Sequence, residues 1–387
     1  MSNPVIQAFG RKLRLGVIGG GPGSFIGPVH RGAATLHERF DVVASVLSSS
    51  AEKSIQAGKD MAILRPYADA NTLLKEEMKR DDGIDVLAIM TPHNSHFELA
   101  LQAIRAGIHV VCEKPLTNDL AQAEQLQQEL EKSNSLFCVA YCYSAYPMVR
   151  QARAMVEDGL LGEVRILKSE YFQGNLAKLT DAELAGKDWH MDASFSGPSL
   201  VVGDIGTHSY HLMSFVSGLL PETLCADVCA TVPGRESDDY CSILLRYANG
   251  ARGSLQVTQA AAGAVHGLDF SVYGELGGLQ WYQEQPNELI YRPIDGPMQV
   301  FTRGGSGAHP AAESITHVAL GHPEGYKEAF ANLYYELSRE LVARQLNQDT
   351  PDYLWYPRMS EGVDGVRFVD ATVRSRDLDG QWVELNI

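Results

Sequence analysis

Stripes of lysine or arginine are missing from this chain. Its 48 Asp and Glu against 32 Lys and Arg leave a formal net charge of −16 over 387 residues. A surface of that sign repels phosphate backbones and anionic bilayers, so no nucleic acid and no membrane partner is expected. No apolar run reaches the roughly 18 residues that span a bilayer, and no long apolar stretch of a secretory leader precedes the first strand. The simplest location is cytoplasmic. Among the six cysteines, Cys112, Cys138, Cys142, Cys225, Cys229 and Cys241, there is no C-x-x-C pair. They sit in apolar runs and read as reduced core residues, so no metal site is expected from them. No repeat or low-complexity tract appears either.

What is present has the composition of an ordinary globular protein, with 45% hydrophobic and 21% charged residues. A chain of this length exceeds what one hydrophobic core usually serves, and two domains are expected, 1–142 and 143–387. In the first, apolar runs at Leu13–Ile18, Val42–Leu47, Val86–Met90 and His109–Cys112 alternate with helical patterns. That alternation predicts a doubly wound parallel sheet of Rossmann type. After about Tyr143 the rhythm changes. Strand-like runs such as Tyr240–Tyr247, Ala251–Thr258 and Leu268–Tyr273 follow one another through Gly, Asn and Pro turns. They predict an α+β domain with a large, mostly antiparallel sheet, closed by a long helix from Gly325 to about Asn347 and another from Val363 to Arg374.

The cluster Gly19-Gly20-Gly21-Pro22-Gly23-Ser24 lies between the first strand and a helix opening near Ile26. In that context glycines let the backbone approach a pyrophosphate, and helix N-terminal amides hold its charge. Gly19, Gly21, Gly23, Ser24 and Ile26 are the expected contacts. The string departs from G-x-G-x-x-G, since Ser24 takes the last glycine position and Gly27 comes later. At the end of the second strand stand Ser48, Ser49 and, in the following helix, Lys53, with no carboxylate at the tip. Hydroxyls with a lysine accommodate a 2′-phosphate, yet the serines equally fit as caps of the next helix, so NAD and NADP both stay open. Thr91, Pro92 and His96 follow the third strand at the carboxyl edge of the sheet, where the nicotinamide side is expected.

Glu113-Lys114-Pro115 ends another parallel strand, and Asp204-Ile205-Gly206-Thr207-His208 lies far downstream. With the glycine turn and Thr91-Pro92, these motifs resemble the glucose-fructose oxidoreductase, inositol dehydrogenase and rhizopine catabolism family, Gfo/Idh/MocA, over nearly the whole chain. The resemblance implies Lys114 and Glu113 in the cofactor cleft, Asp204 as a supporting acid and His208 as the proton-transfer residue. An aspartate often follows the family histidine by three positions, where this chain has His211, and the glycine turn is longer than usual. Trp189, His190 and His322 are added as substrate-binding candidates beside Lys114, Asp204 and His208. Tyr141, Tyr143, Asp192 and Tyr210 are weighed and set aside as more typical of a core.

Oxidising an alcohol removes a hydroxyl proton while hydride leaves the same carbon, a task for a histidine that titrates near neutrality and a lysine that stabilises the oxygen. The expected activity is an NAD- or NADP-dependent dehydrogenase acting on a sugar, cyclic polyol or glycoside. An alternative within the family is a lyase or glycoside-cleaving enzyme with recycled cofactor, and another is a regulator that binds dinucleotide without turnover. A homodimer or homotetramer is expected from the uncovered face of the antiparallel sheet.

Overall fold

The computed structural model describes residues 3–180, 183 and 189–385. The chain forms two compact units, one of residues 1–117, 121–142 and 326–362 and the other of residues 118–120, 143–325 and 363–387. The long helix Tyr326–Gln345, expected in the second domain, therefore groups with the first unit. It packs on the helix α2 (Ile26–Leu36). Burial of Phe330, Leu333, Tyr334 and Leu337 supplies the reason.

In the first unit, strands β1 (Leu13–Gly19), β2 (Phe40–Val46), β3 (Arg65–Pro66), β4 (Val86–Met90), β5 (His109–Cys112) and β6 (Phe137–Val139) form one sheet in the order β3-β2-β1-β4-β5-β6. All five pairings are parallel. Val17, Val86, Leu87, Ala88, Val110 and Val111 are fully buried, as a sheet covered by helices on both faces requires. The strand order reverses between β1 and β4. Ligands of open α/β sheets bind at the carboxyl ends of the strands at such a reversal.

The second unit is built on nine strands in the order β14-β13-β12-β11-β7-β10-β9-β8-β15. These are β7 (Val164–Gln173), β8 (Pro221–Cys229), β9 (Tyr240–Tyr247), β10 (Arg252–Thr258), β11 (His266–Gly274), β12 (Gly277–Tyr282), β13 (Glu288–Pro293), β14 (Gln299–Thr302) and β15 (Val383–Glu384). Only β10 with β7 pairs in parallel. Alternation does the rest: Leu167, Leu255, Ile243, Phe270, Val272 and Trp281 point to one face and are buried. The helices Pro147–Glu157 and Thr207–Ser217 pack against this sheet. On the strands' other positions, Ile166 is 49% and Leu244 51% exposed.

Candidate active site

The glycine turn sits where the strand order reverses. A Cβ on Gly19 would lie 2.3 Å from the carbonyl of Met90, at the end of β4, and one on Gly21 would lie 1.9 Å from the carbonyl of Leu47, just past β2. No side chain fits at either. Gly19 and Gly20 also carry left-handed φ of 86° and 65°, which glycine adopts at no steric cost. Close packing of helix on strand, the task of the third glycine in the usual fingerprint, falls to Gly27, whose Cβ would stand 1.9 Å from the Gly20 carbonyl. Gly23 differs, with a φ of 85° and nothing near its Cβ position. Ser24 accepts a 3.3 Å hydrogen bond from the Gly27 amide, while the residue preceding Ile26 supplies no side-chain cap to α2. A turn that excludes side chains, at the N-terminus of a helix, fits a pyrophosphate.

Past β2, Ser48 accepts from the amide of Ser50 at 3.1 Å, and Ser49 and Lys53 are exposed. Ser50 opens the helix Ala51–Asp60 without a side-chain cap bond. The capping reading of these serines therefore reduces to one contact by Ser48.

Thr91 and Pro92 are half-buried after β4. The Ser95 hydroxyl does not cap the following helix but turns back to the Thr91 hydroxyl at 2.6 Å and the Pro92 carbonyl at 2.8 Å. His96 has no exposed surface, and its ring nitrogens face the carbonyls of Pro115 and Thr91, each at 3.0 Å. Burial pushes its pKa down. Its place is between two loops, tying the Thr91 turn to the Lys114 turn. Glu113 extends β5 by donating its amide to Ile89 at 3.0 Å, and the half-buried Lys114 follows, joined to Pro115 by a cis peptide. The first unit thus gathers the glycine turn, Thr91, Glu113 and Lys114 along the carboxyl ends of its strands.

In the second unit Asp204 lies on a π turn, Val202–Gly206, that leads into the helix Thr207–Ser217 carrying His208. Single π turns inside helices recur at functional sites. Gln259, which follows β10, donates its amide to the Asp204 carboxylate at 2.8 Å. His208 is 8% exposed, with the ring of Tyr143 perpendicular to it at 4.8 Å. The Tyr143 hydroxyl meets that of Tyr171 at 2.7 Å. A buried imidazole thus shares its surroundings with two phenols and lies one turn from a held carboxylate.

Two family models match the chain, "Oxidoreductase family, NAD-binding Rossmann fold" over residues 13–141 and "GFO/IDH/MocA C-terminal domain" over residues 149–280. An uncharacterized oxidoreductase of Bacillus subtilis, YfiI, is 31% identical over 381 residues, 97% of each chain. The chain belongs to the Gfo/Idh/MocA family. It is an oxidoreductase, and its first unit is an NAD-binding Rossmann domain. A solved structure of an inositol dehydrogenase homologue from Azotobacter vinelandii, complexed with NADH and myo-inositol, is 33% identical with a TM-score of 0.89, over 97% of this chain and 98% of that one. Levoglucosan dehydrogenase of Pseudarthrobacter phenanthrenivorans is 27% identical over 308 residues, 72% of this chain and 76% of the relative.

His211 stands where the family often has an aspartate. The ring is buried and keeps its neutral form, its pKa pushed down to about 3 by burial and then by Arg150 and Arg153. Trp189 and His190, both half-buried, stack on each other at 3.7 Å, and His190 borders a cavity of about 610 Å³. Asp192, Ser199, Asp238 and Arg376 are among its other walls, and neither Asp204 nor His208 is. His322 is exposed on a loop secured from behind, where Glu324 accepts from the amides of His317 at 2.6 Å and Val318 at 2.8 Å. Tyr141 is fully buried and Tyr210 stacks on Phe368, both as core residues. Sequence reasoning set Tyr143 aside and missed Gln259 entirely. Tyr143 carries no motif, and Gln259 meets Asp204 only through folding.

Proposed function

We propose that this oxidoreductase dehydrogenates a secondary hydroxyl of a cyclic polyol or monosaccharide ring, with His208 as the proton-transfer residue and Lys114 as the group that stabilises the reacting oxygen. The observation that carries the reading is the buried His208 beside Tyr143, one turn beyond an Asp204 whose carboxylate Gln259 holds. The substrate class rests on two relatives named for ring polyols or anhydro sugars, the inositol dehydrogenase homologue complexed with myo-inositol and levoglucosan dehydrogenase.

NAD, when bound, would supply the hydride acceptor for the carbinol carbon. His208 takes the hydroxyl proton, so that one alcohol yields one ketone, one hydride and one proton. Asp204 orients the imidazole. Lys114 donates a hydrogen bond to the oxygen on which negative charge develops. When the cofactor is bound, Gly19, Gly21, Gly23, Ser24 and Ile26 would hold the pyrophosphate, Thr91, Pro92 and Glu113 would line the nicotinamide side, and Ser48, Ser49 and Lys53 would meet the ribose. His96 acts from beneath by fixing two of these loops. Trp189, His190 and His322 are the further substrate contacts.

The proposal extends to a cytoplasmic homodimer or homotetramer. Its support is six free cysteines, four of them buried, and the apolar residues Ile166 and Leu244 on the sheet's exposed positions. Among the described residues, no helix is long and apolar enough to cross a membrane.

A panel of inositols, aldoses and anhydro sugars, assayed by absorbance of the reduced nicotinamide with NAD and with NADP, tests the activity. Stoichiometric reduction with a ring polyol supports a dehydrogenase. Product formed without net reduction would place the protein among enzymes that recycle the cofactor, and no reaction with any ring polyol would overturn the substrate class.

A further inference from the structure

A chain of three buried side chains runs beneath the Lys114 turn. His30, on α2, has no exposed surface. Its Nε2 lies 2.8 Å from Oε1 of Glu113, and its Nδ1 lies 2.6 Å from the hydroxyl of Tyr334, on the helix Tyr326–Gln345. The second oxygen of Glu113 accepts the amide of Lys114 at 3.2 Å. His30, Glu113 and Tyr334 are far apart in sequence.

The direction of the chain follows from what each group can do. An ionised carboxylate only accepts, so Nε2 carries the proton that His30 gives to Glu113. Burial pushes the Tyr334 phenol well above its usual pKa, so it stays protonated and donates to Nδ1. Both ring nitrogens are then satisfied in one tautomer. Glu113 is 9% exposed, and a carboxylate with so little water needs both donors. Phe330 packs its ring edge-on to His30 at 4.7 Å and closes the site on another side. The next residue, Arg31, donates to the carbonyl of Gly20 at 2.7 Å. Consecutive side chains of α2 therefore grip the glycine turn and the Lys114 turn.

We propose that His30 is a positioning residue, which, with its tautomer set by Tyr334, fixes Glu113 and through it the backbone that presents Lys114. The proposal rests on the reading of Lys114 as a reacting group, but its test does not depend on turnover. Hydrogen exchange of a peptide that begins several residues upstream and covers residues 113–117, measured by mass spectrometry on the cofactor-free protein, reports the Glu113 and Lys114 amides. His30→Leu removes both hydrogen bonds and should speed exchange of that peptide at least about 10-fold, while the β1 peptide 13–18 keeps its protection. His30→Gln retains an amide donor toward Glu113 and should restore exchange to within about 3-fold of wild type. Should the leucine variant loosen β1 as well, Tyr334→Phe decides, because loss of one oxygen must still speed the 113–117 peptide. Unchanged exchange in His30→Leu or Tyr334→Phe would overturn the proposal, as would a glutamine variant no better protected than leucine. Turnover of Lys114→Ala decides the underlying reading separately, so either can fail alone.

Discussion

Gln259 donates its side-chain amide to Asp204 at 2.8 Å, from the end of a strand to the π turn that precedes His208. The carboxylate nearest His208 in sequence is thereby fixed in direction by a neutral group. A hydrogen bond to a charged group is worth roughly 1.5–3 kcal/mol, or about 10- to 100-fold in rate if all of it is felt in the transition state. Gln259→Leu should lower kcat within that range and leave the NAD dissociation constant within about 2-fold. Steady-state kinetics with a cofactor titration checks both numbers.

The glycine turn predicts a contrast between neighbours. Gly21→Ala sets a methyl carbon against the Leu47 carbonyl, 1.9 Å away, so backbone must move at the junction of turn and β2. Even this smallest replacement is therefore expected to cost fold stability along with dinucleotide affinity. Gly23→Ala meets no atom and costs only its left-handed φ, roughly 1–2 kcal/mol. Titration with NADH should show affinity reduced more than about 10-fold in the first variant and by less than about 3-fold in the second. Equal losses would show that contact with the cofactor, not packing of the turn, governs both positions.

Two histidines predict the acid side of the stability profile. Burial pushes His211 down to about 3 and His109 down to about 4, and the Nδ1 of His109 accepts the amide of Leu136 at 2.9 Å, which a proton there would forbid. Unfolded histidine titrates near pH 6.5. Between that pH and the depressed values the unfolded chain binds more protons, so the stabilisation is complete above about pH 6.5 and is lost as pH falls toward 4. Each ring contributes a slope of up to about 1.4 kcal/mol per pH unit. Asp269, raised to about 6 by burial and by Glu170, works in the opposite sense over about pH 4 to 6, and one such group does not offset two. Thermal melts should fall steeply from pH 6.5 to 4.5, and His211→Phe should flatten that slope.

Assembly is tested on the sheet. Ile166 and Leu244 are half-exposed on β7 and β9, with β10 between them. Burying such a face against another copy withdraws both from water. Light scattering at micromolar concentration should give a dimer or tetramer for the native chain and a smaller species for Leu244→Glu. A native monomer would contradict the proposed assembly.

How much of this is legible in the sequence depends on whether the information is local. Strands β1, β4 and β5 can be read because each apolar run ends on a motif, Gly19, Thr91 and Glu113. Phe137–Val139 and Arg65–Pro66, with three and two residues, are too short to show a period, and the six-stranded order emerges only from pairing. The helix Tyr326–Gln345 follows the second unit in sequence, so chain order assigns it there, whereas its fully buried Tyr334 meets His30 and Phe40 of the first. The candidate site divides in the same way. Lys114, Asp204 and His208 stand in recognisable strings, but Gln259, Tyr143 and His30 lie 55, 65 and 83 residues from Asp204, His208 and Glu113 respectively, as the sequence numbers show. His96 looks like a cofactor contact in its string and turns out to be sealed between two carbonyls.

Lys114 and His208 are proposed to serve one chemical step, and a double-mutant cycle in kcat tests this most directly. With myo-inositol or the best ring polyol of the panel, Lys114→Ala and His208→Ala should each lower kcat about 10²- to 10⁴-fold while the NAD dissociation constant changes little. The double variant should lose much less than the product of the two losses, because neither group can act fully without the other. Near-normal turnover in either single variant, or losses that multiply, would contradict the account.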